Sequence, residues 1–175
     1  MKQKNCQAFL LTWILILMNL PSFVFAADGN TEQDTLRGIN ALQVIVHDLD
    51  PEIEQYGLTR EKIQRDFETR IGMAGIKVLS KKEGQKIPGA PFITLTVGTM
   101  RAFTTKGSEF YFISIIIKLR QNVYLERKPE NKINGIATWS NTRFGVNFGQ
   151  NIRSEISNAI DQFINAYTAA NSKKK

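Results

Sequence analysis

Apolar residues alternate with polar ones along much of this chain, which is the pattern of half-buried β-strands. The alternation predicts five strands, over residues 41–49, 76–79, 92–103, 110–126 and 133–143. The fourth stretch is the longest, with Ile113, Ile115 and Ile117 on one parity. We therefore expect it to lie near the centre of a sheet and to bury that parity.

Two other stretches carry apolar residues at helical spacing. Ile63, Phe67 and Ile71 fall on one side of a helix predicted over about 60–74, with Thr59 as its N-cap and Gly75 as its terminator. A second stripe predicts a helix that closes the domain; its members are Ile152, Ile156, Ala159, Ile160, Phe163 and Tyr167.

The order of these elements predicts the fold class. A strand joined to the next strand through a helix pairs with it in parallel, whereas strands joined by short connections pair antiparallel. The prediction is an α+β two-layer sandwich of order β-α-β-β-β-β-α, in which two helices cover one face of a mixed five-stranded sheet. The opposite face of the sheet would then be open or covered by something else.

The first 26 residues have the features of an export signal. Lys2 and Lys4 precede an apolar run over 8–20, and Ala26 stands at a suitable cleavage position. We expect a signal peptide over 1–26, a flexible leader over 27–35, a single domain over 36–170 and a basic tail over 171–175. The protein would be periplasmic or secreted by a bacterium, with no stable membrane span after cleavage. The alternative is that the segment stays uncleaved as an anchor.

Charge and cysteine content narrow the classes of function. The net charge is +7, but two of these charges belong to the predicted signal and three to Lys173, Lys174 and Lys175. So little excess charge in the domain argues against a nucleic-acid partner. The one cysteine, Cys6, lies in the signal, so disulfides, thiol catalysis and Cys-ligated zinc are excluded from the exported protein.

His47 is the only imidazole and lies in an acidic segment that includes Asp48 and Asp50. A nucleophilic triad also needs a presented serine, and no Gly-x-Ser-x-Gly turn exists here. The acidic segment also fails as an EF-hand loop, since Ile53 and Thr59 occupy the positions that require glycine and glutamate. We expect no cofactor, no metal and no catalysis; a small hydrolase using His47 is the alternative.

The second parity of the long strand gives the candidate site. Its members combine aromatic and aliphatic area with two cations, and they would face away from the helices if Ile113 and Ile115 face toward them. The residues predicted to bind a partner are Phe112, Ile116, Lys118, Arg120 and Tyr124. The partner would be another envelope protein or a second copy of the chain.

A carrier of lipid or glycolipid is the alternative binding function. It predicts a cavity between the sheet and the helices, lined by Phe67, Phe163 and Ile115.

Five short segments resemble a group of small exported bacterial proteins without assigned activity: Leu36-Arg37-Gly38-Ile39, Gly57-Leu58-Thr59, Ala74-Gly75-Ile76, Thr138-Trp139-Ser140 and Phe163-Ile164-Asn165-Ala166-Tyr167. The element order is also similar to the N-terminal domain of the TolB protein and to periplasmic lipoprotein modules that regulate cell-wall synthases or build secretion pores. This resemblance implies a noncatalytic interaction module in the envelope and supplies no active-site residue. The chain lacks the lipid-attachment cysteine of the lipoprotein members.

Overall fold

A computed structural model describes residues 29–54, 57–147 and 151–172. The predicted signal peptide and Lys173, Lys174 and Lys175 lie outside these residues. In chain order the helices are α1 (Gly29–Asp34), α2 (Pro51–Glu54), α3 (Arg60–Met73), α4 (Lys81–Gly84) and α5 (Ile152–Asn171). The strands are β1 (Ala41–Val46), β2 (Lys77–Val78), β3 (Phe92–Phe103), β4 (Glu109–Leu125) and β5 (Lys128–Asn147).

The five strands form one mixed sheet of order β2-β1-β3-β4-β5. β1 pairs in parallel with β2 and β3, whereas β3, β4 and β5 pair antiparallel. The two long helices, α3 and α5, pack on one face of this sheet: α3 against β1 and β2, and α5 against β4 and β5. The predicted α+β two-layer fold is therefore confirmed.

The two parities of β4 separate as the alternation predicts. Ile113, Ile115 and Ile117 are at most 4% exposed and join the hydrophobic core with the apolar stripes of α3 and α5. The opposite parity, which includes Phe112 and Ile116, lies on the open face of the sheet. Period-two alternation is thus enough to tell the two faces of this strand apart.

Helix α3 begins and ends at the residues that the sequence indicates. The Thr59 hydroxyl accepts a hydrogen bond from the backbone N–H of Lys62 at 3.3 Å, which satisfies one of the free amides of the first turn. After Met73 the backbone reaches Gly75, whose φ of +83° is the left-handed conformation that terminates helices.

The turn between β4 and β5 is shorter than predicted, and β5 is longer than predicted. The sequence predicts a turn at 128–131, but the turn lies at Glu126 and Arg127, and Leu125 pairs with Lys128. Pro129 lies inside β5, which is tolerated because β5 is an edge strand. β5 also continues past the predicted end at Arg143, as far as Asn147.

The residues that flank the domain also pack more than predicted. Part of the expected leader forms α1, and the Gln33 side-chain amide donates to the Ala166 carbonyl at 3.3 Å. Asn171, which we assigned to the tail, lies in α5 and accepts a hydrogen bond from the Gly38 N–H at 2.9 Å. Polar side chains make these contacts. The lack of apolar residues in the two flanking segments therefore did not mean that they are unpacked.

The polar segment between β2 and β3 contains the short helix α4. Ser80 and Glu83 form a capping box, in which the Ser80 N–H donates to the Glu83 carboxylate at 2.9 Å. Hydrogen bonds from the Ser80 hydroxyl and N–H lower the pKa of Glu83. Gly84 packs against the side chain of Gln43, so this segment covers the open face where β1 lies.

Candidate interaction surface on the open sheet face

Exposed apolar side chains cluster at one end of the open face. The pairing register sets Met100, Phe112 and Val146 in one row across β3, β4 and β5, and it sets Phe144 in the adjacent row. Their exposed fractions are 61%, 42%, 56% and 81%, respectively. We call these four residues the apolar patch; such clustered exposure marks interaction sites more reliably than scattered apolar residues do.

A shallow groove of about 300 Å³ runs through the apolar patch. Its floor includes Gly98 and Ser114, which pair directly across β3 and β4. A Cβ atom on residue 98 would lie only 2.8 Å from the Ser114 Oγ. The glycine therefore opens the space between Met100 and Phe144.

The two predicted cations have different surroundings. Lys118 lies on the open face between Thr94 and Ser140, and it makes no ion pair with any described residue. Arg120 instead donates from Nη1 to the Gly135 carbonyl at 2.9 Å. Lys118 is therefore available to an anionic group, whereas Arg120 helps to hold the irregular part of β5.

The five predicted binding residues lie on the open face or beyond it but do not form one compact site. Phe112 belongs to the apolar patch, and Ile116 and Lys118 follow it along β4. Tyr124 is 64% exposed but lies beyond two irregularities in the β4–β5 pairing. Twelve residues of strand separate it from Phe112, which is about 40 Å. A small partner could not contact both.

A second groove, of about 450 Å³, lies at the other end of the open face. Ile45 and Phe92 provide its apolar part, and side-chain amides such as those of Gln43 and Asn122 provide polar groups. The α4 segment borders it through Lys81 and Gln85. This end of the face is thus more polar and more covered than the apolar patch.

The two edges of the sheet are covered to different extents. Beyond its short pairing with β2, β1 is sealed by the side chain of Gln64: Oε1 accepts from the Val46 N–H and Nε2 donates to the Val44 carbonyl, both at 2.9 Å. The amide thus occupies the positions of a neighbouring strand. Glu68 holds it in place by accepting from the same Nε2 at 2.5 Å.

β5 forms the opposite edge. The Thr35 hydroxyl donates to the Thr138 carbonyl at 3.0 Å, which covers one point of this edge. From Trp139 to Val146, the described residues contribute no backbone partner on the outer side of the strand. An uncovered edge of this kind is a template for pairing with another chain.

Two polar atoms on the helix side of β5 are buried without a hydrogen-bond partner among the described residues: Asn141 Oδ1, an acceptor, and Arg143 Nε, a donor. Arg143 is otherwise engaged, since its Nη2 lies 3.1 Å from the Glu155 carboxylate. A buried polar atom without a partner costs about 1–3 kcal/mol. The described residues of a single copy therefore leave both atoms unsatisfied.

The catalytic alternative receives no support from the surroundings of His47. This residue is exposed, and its imidazole has no hydrogen bond or ion pair with the described residues. Asp48 is directed toward Arg60, at 3.8 Å, and Asp50 accepts a hydrogen bond from the Thr99 hydroxyl at 3.0 Å. In the described part of the chain, no three acidic, histidine or cysteine residues are grouped as metal ligands.

The three side chains predicted to line a lipid cavity lie in the hydrophobic core. Phe67 and Phe163 are fully buried, and Ile115 is 2% exposed within the same core cluster. The Phe163 ring also packs against Trp139, which is 8% exposed. Neither of the two grooves described above is lined by these three side chains.

Comparison with known proteins gives a weak likeness in fold. No protein-family model matches the chain, and no curated protein matches it. One similar solved structure is the PelC dodecamer from Paraburkholderia phytofirmans, with 13% identity, a TM-score of 0.36, and coverage of 75% of this chain and 88% of that one. Another is a minor lipoprotein from Acinetobacter baumannii, with 8% identity, a TM-score of 0.33, and coverage of 75% and 93%. No helix of the described residues has the length and apolar character needed to cross a membrane.

Of the four residues of the apolar patch, sequence reasoning assigned only Phe112 to the predicted site. It ended the last strand at Arg143 and so excluded Phe144 and Val146. The missed signal was the alternation of Thr142, Phe144 and Val146, which continues the outward parity of the strand.

Proposed function

We propose that the protein is an exported, noncatalytic module that binds another protein of the cell envelope through the apolar patch. The observation that carries the proposal is the contiguity of the four exposed apolar side chains of the patch, three of which line one groove, on a sheet face that the long helices leave uncovered. Apolar anchors in such a groove are the usual energetic centre of a protein interface.

The surroundings of the patch favour a partner segment that carries an apolar side chain close to a carboxylate. Lys118 lies four residues along β4 from Ser114 in the groove floor, about 13 Å away. Because Lys118 has no ion pair with the described residues, it is free to attract an acidic group. An extended peptide of five residues spans that distance.

Site-specific photocrosslinking in the native bacterium tests this function. A photoreactive residue at Phe144 or Met100 should capture the same envelope protein. The same residue at Met73 should not, since Met73 is 83% exposed but lies on α3, away from the open face.

The captured protein should then bind the purified chain directly. Phe112→Ser should weaken this binding at least tenfold, and the control Met73→Ser should leave it unchanged. Equal capture from Met73 and Phe144, or equal binding by the two serine variants, would refute the proposal.

A further inference from the structure

The free edge of β5 and the unsatisfied atoms beside it point to a second copy of this chain. We propose that two copies pair antiparallel through residues 139–145 of β5, with Thr142 of each copy opposite Thr142 of the other. The result is a symmetric dimer in which the two sheets become one. This inference does not depend on the proposed envelope partner.

The register follows from the two orphaned side-chain atoms. When Thr142 lies on the two-fold axis, Asn141 of one copy lies opposite Arg143 of the other, on the helix side of the sheet. The two side chains then lie at the separation over which directly opposed side chains interact. Rotation of the side chains out of their buried positions brings the acceptor Oδ1 to the donor Nε. Symmetry repeats the contact, so all four atoms gain a partner.

The charges along this edge allow self-pairing. The only charged residue between Trp139 and Val146 is Arg143, and Glu155 in the same chain already neutralises it. Lys128 and Lys132 lie at the other end of β5, where lysine side chains discourage edge pairing. The proposed contact is therefore confined to the neutral part of the strand.

In the two-fold arrangement the open faces of both copies also remain accessible. Antiparallel pairing of identical edges turns the same face of both sheets to the same side. On that side Phe144 of one copy lies opposite Ser140 of the other, which covers part of a ring that is 81% exposed in the single chain. Both apolar patches remain accessible on one continuous surface.

Substitution of Thr142, the residue on the two-fold axis, by residues of opposite charge tests the dimer. Sedimentation of the purified full chain should show a dimer that dissociates on dilution. Thr142→Lys and Thr142→Glu should each weaken it at least tenfold, because like charges then lie directly opposite. A mixture of the two variants should restore the dimer as a heterodimer, which also shows that both variants fold.

Thr96 supplies the matched control. It is exposed in the same cross-strand row as Ile116 and Thr142, but two strands away from the edge. Thr96→Lys and Thr96→Glu should leave dimerisation unchanged. A chain that remains monomeric at all concentrations, a mixture that stays monomeric, or an equal effect at Thr96 would overturn the proposal.

Disulfide trapping tests the register separately. In a Cys6→Ser background, Thr142→Cys should form a crosslinked dimer on mild oxidation, since position 142 meets itself. Val146→Cys should not crosslink to itself, because position 146 meets Thr138 of the second copy. Efficient crosslinking through position 146, or none through position 142, would contradict the register.

Discussion

Trp139 packs edge-on against Phe163, with ring centroids 5.3 Å apart and an interplanar angle of 67°. Trp139 belongs to β5 and Phe163 to α5, so this pair joins the edge strand to the helix layer. Tyr167 extends the contact, with its ring centroid 6.5 Å from that of Phe163. The outer strand is thereby held to the core even though no further strand of the described residues flanks it.

Removing the centre of this aromatic contact should strongly destabilise the fold. Phe163 is fully buried, so Phe163→Ala should lower the free energy of unfolding by about 3–5 kcal/mol. Phe144→Ala is the control: its ring is largely exposed, so the change should be within about 0.5 kcal/mol. Urea denaturation measures both, and similar losses would show that Phe144 also belongs to the core.

The seal on the β1 edge should be detectable by substitution of Gln64. Gln64→Leu leaves the Val46 N–H and the Val44 carbonyl without partners, which should cost about 2 kcal/mol. It should also accelerate hydrogen exchange of the Val46 amide, as measured by NMR. Gln162→Leu, at an exposed position of α5, should change neither; slow exchange in the Gln64 variant would mean that the side chain is not the seal.

Adjacent isoleucines of β4 should respond oppositely to a negative charge. Ile116→Asp lies on the open face and should abolish partner capture while the melting temperature changes little. Ile115→Asp places a charge in the core, where its desolvation should prevent folding. Thermal unfolding followed by circular dichroism separates the two, and unfolding by Ile116→Asp would place that residue in the core.

The irregular part of the β4–β5 pairing should depend on Gly135. Its φ is +64°, a conformation that costs other residues about 1–2 kcal/mol. A Cβ there would also lie 3.4 Å from the Phe92 ring. Gly135→Ala should therefore destabilise the protein by at least about 1 kcal/mol.

Gly145→Ala is the control for this prediction. Gly145 is on the same strand, has no positive φ, and has no atom within 4 Å of a built Cβ. Its substitution should be neutral in the same denaturation assay. A neutral Gly135→Ala would show that the local conformation relaxes without cost.

Periodicity was sufficient for the fold because each long element buries one face. The parity of Ile113, Ile115 and Ile117 defined the core side of β4, and the stripes at Phe67 and Phe163 defined the helices. The extents of the flanking elements could not be predicted in this way. They depend on polar contacts between residues distant in sequence, such as Asn171 with Gly38.

The candidate site was predicted only in part for the same reason. Alternation identified Phe112 as outward-facing. That Phe144 and Val146 lie beside it follows only from the pairing register of β4 and β5, which the structure shows. Pairing irregularities then separate Tyr124 from the patch. The orphaned atoms of Asn141 and Arg143 leave no signal in the sequence, since polar residues on an edge strand are ordinary.

The Gln64 side chain also limits how far this sheet could grow. A protein with two open borders can add copies without end and polymerise into a filament. Here one border is closed by a carboxamide from the same chain, and the strand beyond it, β2, has only two residues. Growth through β5 would therefore stop after a single addition, which gives the cell a finite particle in place of a fibre.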